Sequence, residues 1–463
     1  EKNLEQVCEE EIIKSKMNSN ILKYTLVVCL LLSNEVLAQN TLPSREQRIY
    51  SLSEIWKELH YNFAFPHKLQ EVNIDSLYTA YLPKVAEVES TYEYYRILSS
   101  FMANFNEAHT RIYTSKRPDD MPPIKAINFG EKIIVSDISQ NIVDQIPVNS
   151  EILKIDDIPV LAYIKDSVSP FISAATPQWK FDKSVIELFY GKPQSKVNLT
   201  VKKPNGHLVK VSMVRNYYTN NAKEVMVVNK NLSPINIEII DGDIGYIQLA
   251  SFLGGYVDSI NSVFESNLPK LRRCKGLVID LRGNRGGSDQ AWERIAYHLI
   301  SQSEFGLPVK CFSRMHIASY KNWGSNSTNP QLKEYYRGTV MEEINHSLYV
   351  NSIDDTLKLH QPLVIISGQH VASAAEDFLL LMKGLGRAKV IGEPSVGCVG
   401  EPMFVPLPGD FEVMICVKKY VNSDGTQPNE TGIVPDIKVI RDYDEYLKGN
   451  DNVLESSVAE LRR

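Results

Sequence analysis

One stretch limits what this chain can become more than any other: Leu363 to Met382, LVIISGQHVASAAEDFLLLM. Leu363 to Ile366 reads as a buried apolar strand, a turn follows, and a helix opens at Ser373. A strand that feeds a helix in this way belongs to an α/β layer. A hydroxyl at a helix start has the next residues' amides beside it and the positive end of the helix dipole behind it, so an oxyanion could be stabilised there. The same four residues, Ser373-Ala-Ala-Glu376, also spell a capping box, in which the serine accepts from a first-turn amide and the glutamate reaches back. Taken alone, the stretch favours the cap.

The surrounding chain repeats the rhythm. Ile244 to Leu249 predicts a strand, Val257 to Leu271 a helix, Leu277 to Leu281 a buried strand and Asp289 to Ser301 a helix. Strands at Val390-Ile391-Gly392 and at Glu412 to Val417 complete the layer. The strand at Leu277 ends in a glycine-rich turn, LVIDLRGNRGG (Leu277 to Gly287), where glycines let backbone amides approach a bound group closely. It is neither GxGxxG nor a P-loop, and by itself it is a tight turn that needs positive φ. Phe305 to Asp355, rich in Ser, Asn and Tyr, reads as an insertion over the core.

With 463 residues the chain has room for two or three domains. A formal net charge of -6 and a pI near 5.9 offer no basic face for nucleic acid. From Met17 a short polar region with Lys23 precedes the apolar run Tyr24 to Leu32 and then Val36-Leu37-Ala38, which predicts a secretory signal cleaved after Ala38. Export to the periplasm or beyond follows, with no membrane span after cleavage, because the apolar run is too short to cross a bilayer. Residues 1–16 read as lying upstream of the true start. Cys29 follows Val28 inside the apolar run, which argues against lipidation. Cys274, Cys311, Cys398 and Cys416 remain in the mature chain, too few for a disulfide framework, although one bridge is permitted. CxxC and HExxH are absent and the nine histidines are scattered, so no metal is expected.

Residues 44–113 predict a helical N-terminal domain. Ile49, Leu52, Ile55, Trp56, Leu59 and Phe63 fall at helical spacing, and Ser90-Thr-Tyr-Glu93 opens a further helix. It ends at FNEAHTRIY, which leaves His109 at the junction with a short strand. Residues 125–216 change to short β-rich runs, Lys132 to Val135, Glu151 to Ile155, Lys196 to Lys202 and Leu208 to Val214, with a helix between Thr176 and Tyr190. EILKIDDIPV followed by KVNLTVKKPNGHLVKVSMVR resembles a PDZ domain, a fold that can take a chain terminus as an added strand.

LVIDLRGNRGG, then SGQHVASAAEDF, RAKVIGEPSVG and NETGIVPDI, in this order, resemble the carboxy-terminal-processing and tricorn-core serine peptidases over nearly the whole mature chain. The resemblance implies a multidomain α/β and α+β protein: a helical N-terminal domain, a PDZ-like β-rich domain at 125–216, an α/β (ClpP/crotonase-like) catalytic core at 235–441 and a C-terminal tail helix in 442–463. It also implies Ser373 as nucleophile and no cofactor. In the processing branch a lysine serves as base, but Cys398 stands at that position, and a thiol cannot replace it. The tricorn-like branch instead implies His109 as base and Glu430 as the group that orients it. Serine is a weak nucleophile without a base, and the base needs a third group to hold its tautomer. Backbone amides of Gly286 and Ala374 would form the oxyanion hole.

The rival base is His370, in the turn entering the helix, and Glu430 can equally be a solvated loop carboxylate. The expected activity is an exported serine endopeptidase acting on peptides or unfolded proteins. The alternative is a peptide-binding protein that keeps the fold without turnover. An α/β-hydrolase esterase fares worse, because GxSxG is missing around Ser373.

Overall fold

A computed structural model describes residues 42–219, 225–228, 233–300, 304–306, 309–313, 342–344, 347–349, 358–422 and 424–463. The signal segment at 1–38 and most of the 305–355 region lie outside these residues.

The region 235–441 is built on a sheet of six strands. From one edge to the other these are Ile437–Lys438, Lys389–Gly392, Leu363–Ser367, Gly276–Asp280, Ile244–Leu249 and Ile235–Ile240, parallel throughout except for the last pair. The strand Leu363–Ser367 is buried along its whole length, as is Gly276–Asp280 beside it. Continuous apolar sequence is what a strand covered on both faces requires. The helices Val257–Leu271, Gln290–Leu299 and Ala374–Gly384 pack one face through Phe264, Trp292 and Phe378. The other face is closed by the C-terminal helix Asn452–Leu461, whose Val453 and Val458 meet Tyr246, Val278 and Ile366. The tail holds two helices rather than one, Tyr443–Lys448 and Asn452–Leu461, because Gly449 at φ 83 ends the first and Asp451 caps the second.

The β-rich unit is an antiparallel sheet in the order Ile124–Phe129, Lys132–Ile138, Glu151–Ile155, Lys196–Lys202, Leu208–Val214, with the helix Pro177–Ile186 packed on it. Thr176 caps that helix and Pro177 starts it, the arrangement the sequence favours at a helix N-terminus. In the N-terminal unit the helices Arg45–Asn62, Pro66–Glu71, Ile74–Glu87 and Thr91–Ala103 pack around Leu52, Leu59, Phe65, Tyr94 and Phe101. The core of this unit is not its own: Met403, Leu407, Phe411, Val413 and Ile415 join it from the hairpin Pro402–Leu407 and Phe411–Cys416. The short strand Arg111–Thr114 pairs with that hairpin, Arg111 opposite Met414, so the segment carrying His109 is tied to the core domain.

Candidate active site

Because the strands Gly276–Asp280 and Leu363–Ser367 are parallel neighbours in register, their following turns leave the sheet side by side at its carboxyl edge, where open α/β sheets place ligands. The glycine-rich turn therefore lies against Ser373. A side-chain carbon at Gly286 would come 2.5 Å from the Ala372 carbonyl, 2.8 Å from Ser373 Cβ and 2.9 Å from the Ala374 nitrogen. Only glycine fits there, and its φ of +80 demands one as well.

Ser373 has φ 56 and ψ −130, backbone that side-chain-bearing residues rarely adopt. Its N–H donates to the Cys398 carbonyl at 3.1 Å and to Glu376 Oε2 at 3.0 Å, so the returning arm of the predicted capping box is present. Glu376 does far more than cap. Fully buried, its carboxylate also accepts from Ser395 Oγ at 2.6 Å, Gly397 N–H at 2.7 Å and Cys398 N–H at 2.7 Å. Burial pushes this carboxyl up to about 7, against four donors that favour its charged form. One side chain thus fixes the Ser373 backbone to the 395–398 segment. The sequence showed only its capping part, because its other partners lie about twenty residues downstream.

The two expected oxyanion donors differ. Among the described residues the Ala374 N–H has no acceptor, as a first-turn amide should. The Gly286 N–H, by contrast, donates to Asn284 Oδ1 at 2.9 Å. Asn284 is fully buried and anchored in turn by its own Nδ2 on the Leu249 carbonyl at 3.1 Å.

His109 sits just before the strand Arg111–Thr114 and is 7% exposed. Burial and the nearby Arg111 hold its imidazole down at about 3, opposed by a hydrogen bond with the Gly400 backbone. Ser373 and His109 therefore grip the same short segment, at Cys398 and at Gly400. No hydrogen bond joins them among the described residues, and His109 Nδ1 is buried without a partner. Glu430 does not supply one. It is exposed on the short helix Pro428–Thr431, which turns Asn429 inward instead, and Asn429 Nδ2 donates to the Val399 carbonyl at 2.8 Å.

The buried carboxylate near His109 is Glu107, whose Oε2 accepts from Thr110 Oγ1 at 2.5 Å while Oε1 is also unpartnered. Burial raises its pKa. Ligand atoms of Glu107, His109 and Cys416 lie within 4.8 Å of one another, the one group with metal-ligand chemistry among the described residues. Burial holds the Cys416 thiol well above its usual pKa, and it donates to the Lys418 carbonyl at 3.0 Å, so it fits a hydrogen-bonded core group better than a ligand. The sequence reading passed over Glu107, although it stands two residues before His109 in the same NEAH run.

The rivals fall elsewhere. His370 is half-buried, edge-on to Trp179 at 6.0 Å, and held down at about 4 by burial and Arg285. Lys383 lies at the far end of the Ser373 helix, on the Val434 carbonyl at 2.6 Å and Asp436 at 2.9 Å. Cys398 is buried and free, as are Cys416, Cys274 and Cys311. Burial keeps the Cys398 thiol protonated, so it has neither a bridge nor base chemistry to offer.

Comparison with known proteins places this geometry. Residues 243–439 match Peptidase family S41, and residues 44–103 match the Tricorn protease C1 domain. The carboxyl-terminal-processing protease of Picosynechococcus sp. is 25% identical over 348 residues, 74% of this chain and 72% of that one. That of Bartonella bacilliformis is 26% identical over 226 residues, 48% of this chain, so this chain spans 44% of that relative's length. Among solved structures, mature CPAF aligns over 90% of this chain and 98% of its own at 15% identity and a TM-score of 0.69. A putative peptidase from Parabacteroides merdae aligns over 90% and 97% at 17% identity and a TM-score of 0.51. At these identities the two structures speak for the fold alone. Residues 243–439 thus resemble a peptidase domain of family S41, and residues 44–103 before them resemble a tricorn C1 domain.

Proposed function

We propose that this chain is an exported serine endopeptidase that cleaves peptides or unfolded proteins through an acyl-enzyme on Ser373, with His109 as general base. The observation that carries the reading is the strained Ser373 at a helix start, beside the unengaged Ala374 amide and the glycine turn at Gly286. Oγ attacks the scissile carbonyl, His109 takes its proton, and the Ala374 N–H meets the developing oxyanion. His109 then returns the proton to the leaving amine, and water releases the acyl group by the same route.

Three parts have to move for this, the first being His109 itself, whose ring must leave the Gly400 backbone for Ser373 Oγ. The oxyanion must draw the Gly286 N–H away from Asn284 Oδ1, and a carboxylate must reach His109 Nδ1, since an imidazole held near 3 is a weak base. Glu430 and Glu107 compete for that orienting role: Glu430 by the resemblance of its motif, Glu107 by its buried, unpartnered oxygen near the ring. The antiparallel unit at 125–216 serves in this reading as a PDZ-like module that takes the substrate as an added strand.

The same two observations favour a second reading, a peptide-binding protein without turnover, because donor and base are both unready as they stand. A peptidyl phosphonate separates the two. Labelling that is lost in Ser373→Ala and in His109→Ala supports the peptidase, whereas absence of labelling in the wild-type chain supports the binder.

A further inference from the structure

Between the helix Thr91–Ala103, the strand Arg111–Thr114 and the β-rich unit lies a cavity of about 490 Å³. Its chemistry is unlike that of the chain as a whole, whose net charge is -6. Part of its charge is settled internally. Arg117 pairs with Asp119 at 2.8 Å and with Glu187 at 2.6 Å, and Lys183 pairs with Glu187 at 2.6 Å. Asp156 accepts from the Asn198 N–H at 2.9 Å and from its side-chain amide at 3.0 Å.

Three arginines in the lining remain without a carboxylate among the described residues. Arg96 makes one hydrogen bond, to the Ser167 carbonyl at 3.2 Å, and stacks on the Phe171 ring at 3.1 Å, which holds its guanidinium plane in place. Arg215, 6% exposed, donates only to uncharged groups, the Phe189 carbonyl at 2.8 Å and Ser195 Oγ and the Lys196 carbonyl at 3.0 Å. The Arg111 guanidinium, on a residue whose backbone pairs with Met414, has no hydrogen-bond or ion-pair partner among those residues. Arg215 is buried and Arg96 half-buried, so bringing these two guanidiniums together without a carboxylate is unfavourable unless an anion joins them, while the exposed Arg111 stands at the solvent side of the cavity. The planar fork of arginine suits a carboxylate.

The cavity lies near the proposed catalytic residues through their neighbours, although neither Ser373 nor His109 lines it. Arg111 is two residues past His109 on the same short segment. Trp179, another lining residue, packs edge-on to His370, three residues before Ser373. An extended peptide advances about 3.3 Å per residue, so side chains flanking a scissile bond at Ser373 are presented to the neighbouring surface.

We infer that this cavity is a specificity pocket for an acidic side chain of the polypeptide substrate, read by Arg96 and Arg111. The inference rests on the peptidase reading for its substrate, but its test does not need turnover. The probes are a fluorescein-labelled decapeptide of alternating Ala and Glu, its Gln counterpart, and both with an amidated C terminus. Binding to the full chain carrying Ser373→Ala is measured by anisotropy, alone and with Arg96→Gln or Arg111→Gln added.

The Glu peptide is expected to bind about tenfold more tightly than the Gln peptide, the effect of one charge-assisted hydrogen bond. Amidation should leave that ratio unchanged, either arginine substitution should bring it close to one, and Arg96→Lys should restore part of it. Circular dichroism checks that each variant is folded, and if Arg96→Gln is not, Arg111→Gln decides. Equal binding of Glu and Gln peptides, or a preference lost on amidation alone, overturns the inference. The latter result would mean that a terminal carboxylate is what is read. A Glu preference that depends on the arginines, in a wild-type chain that cuts neither peptide, keeps the pocket and removes the peptidase reading instead.

Discussion

Gly286 is the residue at which sequence and site meet most tightly. A methyl there would enter the Ala372 carbonyl and the Ser373 side chain, so Gly286→Ala is expected to lower kcat roughly 10²- to 10³-fold, the effect of misplacing an oxyanion donor. Steady-state cleavage of a fluorogenic peptide measures it, and activity within a factor of two of wild type would place the second donor elsewhere.

His109 and Glu376 make a pH prediction together. His109 is lowered from 6.5 to about 3, so the fold favours its neutral form, and this contribution is lost as pH falls from 6.5 towards 3. Glu376 is raised from 4.5 to about 7, so its contribution is full below 4.5 and is lost as pH rises through 7. Between 4.5 and 6.5 the two cancel, because folding takes a proton from one and gives it to the other. His109→Asn removes the His109 slope, so between pH 4.5 and 6.5 the urea midpoint of the variant should fall more steeply with rising pH than that of the wild type. Parallel profiles for the two proteins would contradict these shifts.

Glu376 also marks the limit of the sequence at this scale. Ser373-x-x-Glu376 announced a cap by its spacing, but the donors on Ser395, Gly397 and Cys398 come from another loop, and nothing local predicts them. At Glu430 the limit is the opposite one. A carboxylate beside a recognisable Gly-Ile-Val-Pro-Asp run was readable, yet which face of a four-residue helix turns inward depends on packing, and there Asn429 goes in.

Among the elements, the strands Glu151–Ile155, Lys196–Lys202, Leu208–Val214 and Ile244–Leu249 and the helix Val257–Leu271 stand where their patterns put them, since period and turn residues are local signals. Strands such as Ile124–Phe129 and Pro402–Leu407, both with prolines close by, went unread because their pairing rather than their composition makes them strands. The closing helix Asn452–Leu461 is held by an ionic clamp. Arg282 bridges Asp280, 3% exposed, and Asp451, with contacts of 2.7 Å and 2.6 Å. Tyr246 adds a hydroxyl bond to Asp280 at 2.6 Å. Arg282→Ala leaves a buried carboxylate uncompensated, and a loss of about 3–5 kcal/mol is expected in urea unfolding. A loss below about 1 kcal/mol would show that the clamp is no more than a surface pair.

For the whole molecule, the separation into a helical unit, a β-rich unit and a core was legible, but not their interdependence. The strand Arg111–Thr114 pairs with residues some three hundred positions away, a relation no periodicity reveals. Because Phe411, Val413 and Ile415 complete the N-terminal core, residues 44–113 made alone should show little cooperative unfolding by circular dichroism. A sharp thermal transition for that fragment would mean that the unit is self-sufficient. The shared core has a consequence for the proposed site: His109 arrives from the helical unit and Ser373 from the core, and the hairpin Pro402–Leu407 and Phe411–Cys416 ties the two units together.

Cleavage of an unfolded model protein by the chain from Gln39 onward tests the proposed activity most directly, run beside Ser373→Ala, His109→Ala and Lys383→Ala. Activity in the wild type and in Lys383→Ala, with a loss of about 10³-fold or more in the other two, is the predicted result. Glu430→Gln and Glu107→Gln then identify the orienting carboxylate. Equal inactivity of the wild type and Ser373→Ala on every substrate tried would contradict the Ser373–His109 assignment and leave Ser373 a strained helix cap in a peptide-binding protein.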